Sequence, residues 1–181
     1  MTGSAGLRPS AFAQVMVLKK IPSSASDPVR PDAGGIRPAR AGDAEAVRDL
    51  VERAYAPWVA IVGRRPGPMD DDYAKHIAAG EVFVLDREGA IAALCVLLAG
   101  AGHLLLDNVA VAPERQGEGL GRAMVVFAEV EAKARGYGEL RLYTHERMAA
   151  NVALYTRLGF VETHRAVQDG FSRVFMAKRV G

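Results

Sequence analysis

The sequence has only one cysteine, Cys95, among its 181 residues. A single cysteine excludes an internal disulfide framework and any zinc site that is built from a cysteine cluster. Because Cys95 lies in the apolar run IAALCVLLAG, we expect a buried structural thiol rather than a nucleophile. Long apolar runs are also missing: none approaches the roughly 20 residues that span a bilayer, and the N-terminal region lacks the continuous apolar core of a secretory signal. These absences favour a protein of the reducing cytoplasm with no membrane partner.

Most of the chain also lacks an excess of charge of either sign. Residues 1–34 carry four of the 23 Lys/Arg and two of the 21 Asp/Glu, so residues 35–181 hold 19 of each. A neutral domain argues against a nucleic-acid binder that depends on phosphate contacts. Residues 1–34 also hold five of the six serines and four of the nine prolines. They therefore predict a flexible N-terminal extension, in which VMVLKKI could instead form a short helix or edge strand, before a single domain over 35–181.

Residues 35–181 show helical and strand periodicities in a clear order. The order is strand, two helices, three strands, helix, strand, helix and two strands. Asp43 is a plausible N-cap for a first helix that runs to about Tyr55, and three aspartates favour the start of a second helix over about 70–79. The later helices are expected over Leu120–Arg135 and Ala149–Leu158. The third helix has four candidate inward positions: Leu120, Met124, Phe127 and Val130.

Three glycines mark the handover from a strand to this third helix, in the stretch VAPERQGEGLGRAM. A helix N-terminus has unpaired N–H groups and the positive end of the dipole, so it can bind a phosphate. Glycine lets the phosphate approach the backbone and permits positive φ. Taken alone, the stretch leaves two readings open, a diphosphate cradle or a tight turn without a ligand. The dinucleotide fingerprint needs glycine where Arg122 stands, and the P-loop needs a Gly-Lys pair that is absent.

This stretch resembles the acetyl-CoA signature of the GNAT superfamily of N-acetyltransferases, which places Gln or Arg, two residues, Gly, one residue, then Gly or Ala. Here that pattern is Gln116, Gly119 and Gly121, after LDNVAVAPER, which is similar to the family's central strand. Downstream, LYTHERMAANVALYTRLGF is similar to the family's later segment. The resemblance covers roughly residues 35–178. It implies an α/β (α+β) fold with a mixed, mostly antiparallel sheet of six to seven strands, about four flanking helices, and a splay at the central strand.

The resemblance also implies a set of cofactor-binding residues for acetyl-CoA, which would act as co-substrate without a metal. Val109 and Val111 would offer backbone groups to the pantetheine arm, and Asn151 would hold the same arm. The diphosphate would meet main-chain N–H groups of the next run, to which Arg115 could add charge. That run comprises Gln116, Gly117, Glu118, Gly119, Leu120, Gly121 and Arg122.

Tyr155 is the expected general acid. It lies four residues after Asn151, so the two share one helix face, and the family's tyrosine points its hydroxyl at the thioester sulfur. The alternative is a tyrosine of the core. For the base that takes the proton from the amine, the candidates are Asp107, His103 and His145. We favour Asp107, which is expected to alternate in phase with Val109 and Val111; it could instead hydrogen-bond to the neighbouring backbone.

Acceptor choice is expected to depend on the segment after the first helix and on the last hairpin loop, QDG. Tyr55 and Trp58 could wall a pocket, or could pack in the core. Arg64 and Arg65 could bind an acceptor carboxylate, whereas Asp70 to Asp72 could attract a polyamine.

Three functions of different classes fit the sequence. The favoured one is an acetyl-CoA-dependent N-acetyltransferase that acts on a primary amine of a small molecule or peptide. A CoA-binding sensor without turnover and a phosphate-binding interaction module are the alternatives. A homodimer is left open.

Overall fold

The structure is a computed structural model and describes residues 35–181. The predicted extension over residues 1–34 lies outside the described residues, so it stays a prediction. The described chain forms seven strands and four α-helices in the predicted order. The strands are β1 Ile36–Pro38, β2 Val82–Arg87, β3 Ala90–Ala99, β4 Leu104–Val111, β5 Glu139–His145, β6 Val161–Gln168 and β7 Phe171–Arg179. The helices are α1 Ala44–Val62, α2 Tyr73–Ala78, α3 Leu120–Ala134 and α4 Ala149–Arg157.

All seven strands form one sheet in the order β1-β2-β3-β4-β5-β7-β6. Each neighbouring pair is antiparallel except β4 and β5, which are parallel. These two strands pair only at Leu104 with Leu140 and at Leu105 with Arg141. Beyond these residues β4 and β5 separate, which confirms the predicted fold class and its splay at the central strand.

The sheet buries a different hydrophobic cluster on each face. On one face, α3 and α4 pack Met124, Ala128 and Leu154 against strand residues such as Leu106 and Leu142. On the other face, α1 and α2 pack over β2, β3 and β4 with a second cluster. That cluster contains Val47, Leu50, Val51, Ala54, Tyr55, Tyr73, Ile77, Val82, Val84, Leu94, Val96, Ala110 and Ala112. The gap between β4 and β5 therefore has a different set of residues on each face of the sheet.

Two predicted helix boundaries were wrong. α1 does not end near Tyr55 but continues through Pro57 to Val62, because Trp58 and Val62 gain a buried surface against Met148 and Phe171. That packing offsets the hydrogen bond that a proline removes from a helix interior. α2 begins at Tyr73 rather than near residue 70, because residues 67–70 form a 3-10 turn.

The aspartates that precede α1 and α2 differ in their hydrogen bonds, and only Asp72 caps its helix. Asp72 accepts a hydrogen bond from the Lys75 N–H at 3.1 Å and so caps α2. Asp43 precedes α1 as predicted, but its carboxylate accepts from the Arg40 N–H at 2.7 Å and pairs with Arg37 instead of capping the helix.

The inward face of α3 is also narrower than predicted. Val130 is 53% exposed, and Phe127 is only partly buried. Leu120 and Met124 are buried as expected, but Ala128 and Ala132 complete the stripe because they continue the four-residue steps from Met124. Small side chains there let the helix lie close to the sheet. Cys95 on β3 is fully buried, which raises the pKa of its thiol and agrees with a structural role.

No helix within residues 35–181 is long and apolar enough to cross a membrane. The same range holds no group of three or more His, Cys, Asp or Glu side chains that could bind a metal ion.

Candidate active site

The backbone of β4 faces the gap between β4 and β5 at Val109 and Val111, the two positions predicted to bind the pantetheine arm. The Ala112 N–H donates to the Ala92 carbonyl of β3 at 2.9 Å. Because main-chain groups alternate sides along a strand, those of Val109 and Val111 face away from β3, toward β5. β5 does not pair with β4 at this level. The ladder groups of Val109 and Val111 are therefore available to an extended ligand in the gap.

The glycine loop ends at an open helix N-terminus. Gly117 and Gly119 have φ of 97° and 79°, the left-handed region that favours glycine. The first hydrogen bond of α3 runs from the Ala123 N–H to the Gly119 carbonyl at 3.0 Å. The N–H groups of Gly117, Gly119, Leu120, Gly121 and Arg122 donate to no backbone carbonyl within residues 35–181.

Two of the predicted N–H donors are already used by the turn itself. The N–H groups of Gln116 and Glu118 each donate to a carbonyl of the preceding 3-10 turn at 3.4 Å. Arg115 forms ion pairs with Glu88 and, at 3.6 Å, with Glu118, so part of its charge is compensated. Arg122 is exposed in the first turn of α3. The strongest anion-binding groups are thus the five open amides.

Tyr155 and Asn151 lie on α4, on the α3 side of the sheet, and both are fully buried. The Tyr155 ring packs edge-on against Phe160, with 5.8 Å between ring centroids. Its hydroxyl has no hydrogen-bond partner among residues 35–181. Burial raises the pKa of Tyr155, so the hydroxyl keeps its proton at neutral pH. The Asn151 amide lies 3.5 Å from the Met148 sulfur.

These features fit the acyl carrier that the sequence implies. The open amides at the start of α3 suit a diphosphate, and the ladder groups of Val109 and Val111 suit an amide-containing arm. The buried Tyr155 hydroxyl is protonated and has no partner among residues 35–181, so it could donate to a bound group.

Asp107 does not share the face of Val109 and Val111, so that expectation was wrong. A β-bulge is the reason: Val96 pairs with Asn108 while Leu97 pairs with Leu106, which leaves Asp107 as the extra residue. The bulge reverses the alternation, so Asp107 faces the α1 and α2 side. There its carboxylate accepts a hydrogen bond from the Tyr143 hydroxyl at 3.0 Å.

The Asp107 carboxyl is poised to exchange a proton near neutral pH. Its side chain is almost completely buried, and desolvation raises its pKa to about 7. The negative charge of Asp71 raises this pKa further, whereas the Tyr143 hydrogen bond and the charges of His76 and Arg173 lower it. A carboxylate with such a pKa is suited to act as a general base at physiological pH.

The two histidine candidates are less suited to this role. The Nδ1 of His145 accepts a hydrogen bond from the Arg147 N–H at 3.1 Å, which leaves the proton of the neutral ring on Nε2. Burial lowers the pKa of His145, so the ring is neutral at pH 7. His103 precedes β4 at the end where β4 and β5 still pair, and its Nδ1 lies 3.1 Å from the Ala101 carbonyl oxygen.

A buried chain of hydrogen bonds connects β4 to the loop before α2. The Tyr55 hydroxyl donates to Asn108 Oδ1 at 2.7 Å, and Asn108 Nδ2 donates to the Tyr73 hydroxyl at 2.9 Å. The Tyr73 hydroxyl in turn donates to the Pro68 carbonyl at 2.8 Å. Tyr55 is thus a core residue, the second of its two sequence interpretations. Its hydroxyl helps to fix one wall beside the gap.

Arg64, two residues after α1, holds the turn between β6 and β7 close to the end of that helix. The Arg64 guanidinium stacks over the Phe171 ring at 4.1 Å and donates to the Asp169 carbonyl at 3.2 Å. Trp58 is half-buried and packs between the α1 cluster and Phe171. Arg65 forms ion pairs with Glu52 and Asp70, so both arginines already bind the protein.

Sequence reasoning did not identify Asn108, Tyr143 or Arg173. Their only signal was position: each lies on a strand, next to or opposite a predicted site residue. Tyr143 and Arg173 lie on β5 and β7 near His145, with the Arg173 guanidinium 4.3 Å from the Tyr143 ring. Both are buried on the α1 side of the sheet beside Asp107. Tyr155 and Asp107 are therefore two buried, titratable groups that lie on opposite faces of the sheet.

Comparison with known proteins identifies relatives of this chain. A family model described as an acetyltransferase (GNAT) domain matches residues 78–162, which include β4, the glycine loop and α4. The [ribosomal protein bS18]-alanine N-acetyltransferase of Escherichia coli K12 is 38% identical over 80 residues, 44% of this chain and 54% of that protein. The mycothiol acetyltransferase of Thermobispora bispora is 42% identical over 52 residues, 29% of this chain and 18% of that protein. The chain thus spans about half the length of the bS18-alanine relatives that it matches.

Solved structures match over more of the chain. The ribosomal-protein-S18-alanine N-acetyltransferase of Escherichia coli has 27% sequence identity and a TM-score of 0.64, covering 81% of this chain and 93% of that one. The PaiA N-acetyltransferase of Thermoplasma acidophilum, solved in complex with coenzyme A, has 18% identity and a TM-score of 0.67 over 80% and 97% of the two chains. This second likeness concerns the fold alone.

Proposed function

Because this chain belongs to the GNAT superfamily, we propose that it transfers an acetyl group from acetyl-CoA to a primary amine by direct attack. The observation that carries the proposal is the gap that opens where β4 and β5 stop pairing after Leu105. Two further observations support it: five amides at the start of α3 donate to no backbone carbonyl within residues 35–181, and the buried Tyr155 hydroxyl has no partner among the same residues. In this proposal the thioester supplies the activated acyl group, and side chains and backbone of this chain supply positioning and proton transfer.

The residues divide the reaction between the two faces of the sheet. The open amides of residues 117–122 hold the diphosphate, while Val109, Val111 and Asn151 orient the arm that carries the thioester. Asp107, on the α1 side, accepts the proton that the amine loses as the C–N bond forms. Tyr155, on the α4 side, donates a proton to the sulfur as the C–S bond breaks.

The acceptor is proposed to enter from the α1 side, between the wall that Tyr73 anchors and the turn that Arg64 holds. The name of the bS18-alanine relatives favours an α-amine at a peptide N-terminus among the possible acceptors. This substrate class stays part of the proposal, as do a cytoplasmic location and a homodimer.

The direct test is acetyl transfer across a panel of amines. Purified protein is incubated with acetyl-CoA and one acceptor at a time: alanine-terminated peptides, free amino acids, polyamines or aminoglycosides. Release of free thiol, matched by a 42 Da mass gain on the acceptor, would support the proposal. Tight binding of CoA with no transfer to any acceptor class would favour the sensor alternative, and no preference for CoA over ATP would favour the phosphate-binding module.

A further inference from the structure

We propose that Tyr143 and Arg173 act as positioning residues which, against the opposing charge of Asp71, set the pH at which Asp107 accepts the proton of the acceptor amine. The inference rests on the proposed function. It goes further because it names three residues, on three different parts of the fold, that determine the pH at which Asp107 loses its proton.

Tyr143 supplies the direct contact. It follows the point on β5 where pairing with β4 ends, and its ring lies on the α1 side of the sheet, where its hydroxyl reaches the bulged Asp107. Its hydroxyl donates to Asp107 Oδ1 at 3.0 Å, and both groups are buried. A hydrogen bond to a buried carboxylate favours the charged form and fixes which oxygen is free to receive a proton. Tyr143 thereby leaves Oδ2 as the oxygen directed at the amine.

Arg173 acts from β7, one strand further away. Its guanidinium lies 4.3 Å from the centre of the Tyr143 ring and is 3% exposed. It also contacts the β6–β7 turn, through Gln168 at 3.2 Å and Asp169 at 3.8 Å. A cation held over this ring keeps the hydroxyl directed at Asp107 and adds a positive potential at the carboxylate.

Asp71 opposes these two residues. It lies between the 3-10 turn of residues 67–70 and α2, two residues before Tyr73, whose hydroxyl accepts a hydrogen bond from Asn108 beside Asp107. Its negative charge favours the protonated form of Asp107. The other groups facing Asp107 from α1 and α2 are Tyr55, Tyr73 and His76. Burial raises the pKa of both tyrosines, so they are neutral. His76 forms a 2.7 Å pair with Glu81, which offsets its charge when it is protonated.

This arrangement predicts shifts of opposite sign. Tyr143→Phe and Arg173→Met remove groups that favour the carboxylate, so the proton of Asp107 should be lost at a higher pH. Asp71→Asn removes a repelling charge, so it should be lost at a lower pH. Each change is expected to move the midpoint by about half to one pH unit, and Arg173→Lys, which keeps the charge, should move it less than Arg173→Met.

Two measurements test these shifts. The first is a ¹³C NMR titration of the Asp107 carboxyl in aspartate-labelled protein, assigned with Asp107→Asn. The second is the acid limb of kcat/KM against pH, with the acceptor that the amine panel identifies. Matched controls are Tyr137→Phe at the end of α3 and Asp49→Asn on the exposed side of α1, which should move neither readout.

Opposite shifts in both readouts would support the proposal. Midpoints that stay in place, or that move in the same direction in all three variants, would overturn it. It would also be overturned if the carboxyl midpoint moved while the acid limb did not. A wild-type protein that binds CoA but transfers no acetyl group would instead reject the proposed function, so the two failures can be told apart.

Discussion

Replacement of the buried carboxyl of Asp107 should make the protein more stable at high pH. In the folded protein desolvation raises the pKa of Asp107 to about 7, against an ordinary value of 3.8. A group whose folded pKa is raised stabilises the fold fully below its unfolded pKa, and that contribution is lost as the pH rises through the folded pKa. Asp107→Asn removes this titration, so the variant should gain stability relative to wild type between about pH 4 and pH 7.

The size of the effect follows from the shift of the pKa. A difference of about three pH units corresponds to about 4 kcal/mol, of which about 2.5 kcal/mol would develop between pH 5 and pH 8.5. Chemical denaturation at these two pH values gives the difference between variant and wild type at each. The double difference cancels any effect of the substitution that does not depend on pH.

A matched control is Asp49→Asn, which removes an exposed carboxylate paired with Arg53 on α1. The free energy of unfolding of this variant should differ from wild type by the same small amount at both pH values. If Asp107→Asn behaves like the control, or is stabilised more at pH 5 than at pH 8.5, the carboxyl does not have a raised pKa. The assignment of Asp107 as a base for neutral pH would then be wrong.

Three further substitutions test the remaining parts of the site. Gly119→Glu should weaken CoA binding at least tenfold in a calorimetric titration, because its carboxylate would face the diphosphate. The control is Gly119→Ala, whose Cβ meets nothing within 4 Å and which has the same backbone strain at φ 79° without the charge. The Ala variant should bind CoA far more tightly than the Glu variant. Tyr155→Phe should lower kcat by about 10²-fold or more while leaving CoA affinity unchanged. The stability of this variant should be equal to that of wild type or slightly higher, because the substitution removes a buried hydroxyl that has no partner among residues 35–181. An unchanged kcat would refute the general-acid role. Asn108→Ala should cost about 2–4 kcal/mol in the free energy of unfolding, because it leaves a cavity and removes the Oδ1 that accepts from the Tyr55 hydroxyl and the Nδ2 that donates to the Tyr73 hydroxyl. A loss below about 1 kcal/mol would mean that these hydrogen bonds do not anchor the wall.

Elements that depend on local pattern could be predicted from the sequence. The order of strands and helices, the glycine loop and the start of α3 at Leu120 all follow from periodicity and turn chemistry within a few residues. The splay between β4 and β5 followed from the resemblance to a family. Nothing in the spacing of β4 alone indicates that pairing stops after Leu105.

Features that depend on distant contacts could not be predicted. The continuation of α1 past Pro57 depends on packing against Phe171, which lies more than a hundred residues away in the sequence. The bulge at Asp107 is a property of its pairing with β3, and it moved the candidate base to the opposite face. Strict alternation along a strand, which is all that a sequence offers, gives the wrong side for any residue in a bulge.

The polar network shows the same limit. Asn108 reads as an ordinary strand residue, yet it joins Tyr55 of α1 to Tyr73 of α2. Arg64 was expected to face an acceptor, but its guanidinium is occupied by Phe171 and the Asp169 carbonyl. Which of several arginines is available to a ligand is decided by partners that come together only in the fold.

The most direct test of the account is a crystal structure of the protein with bound acetyl-CoA. We predict that the diphosphate will accept hydrogen bonds from the five open amides, those of residue 117 and residues 119–122. We also predict that the arm will lie along Val109 and Val111, and that the sulfur will be within hydrogen-bonding distance of the Tyr155 hydroxyl. Density for the carrier on another part of the surface, or a sulfur that lies away from Tyr155, would contradict it.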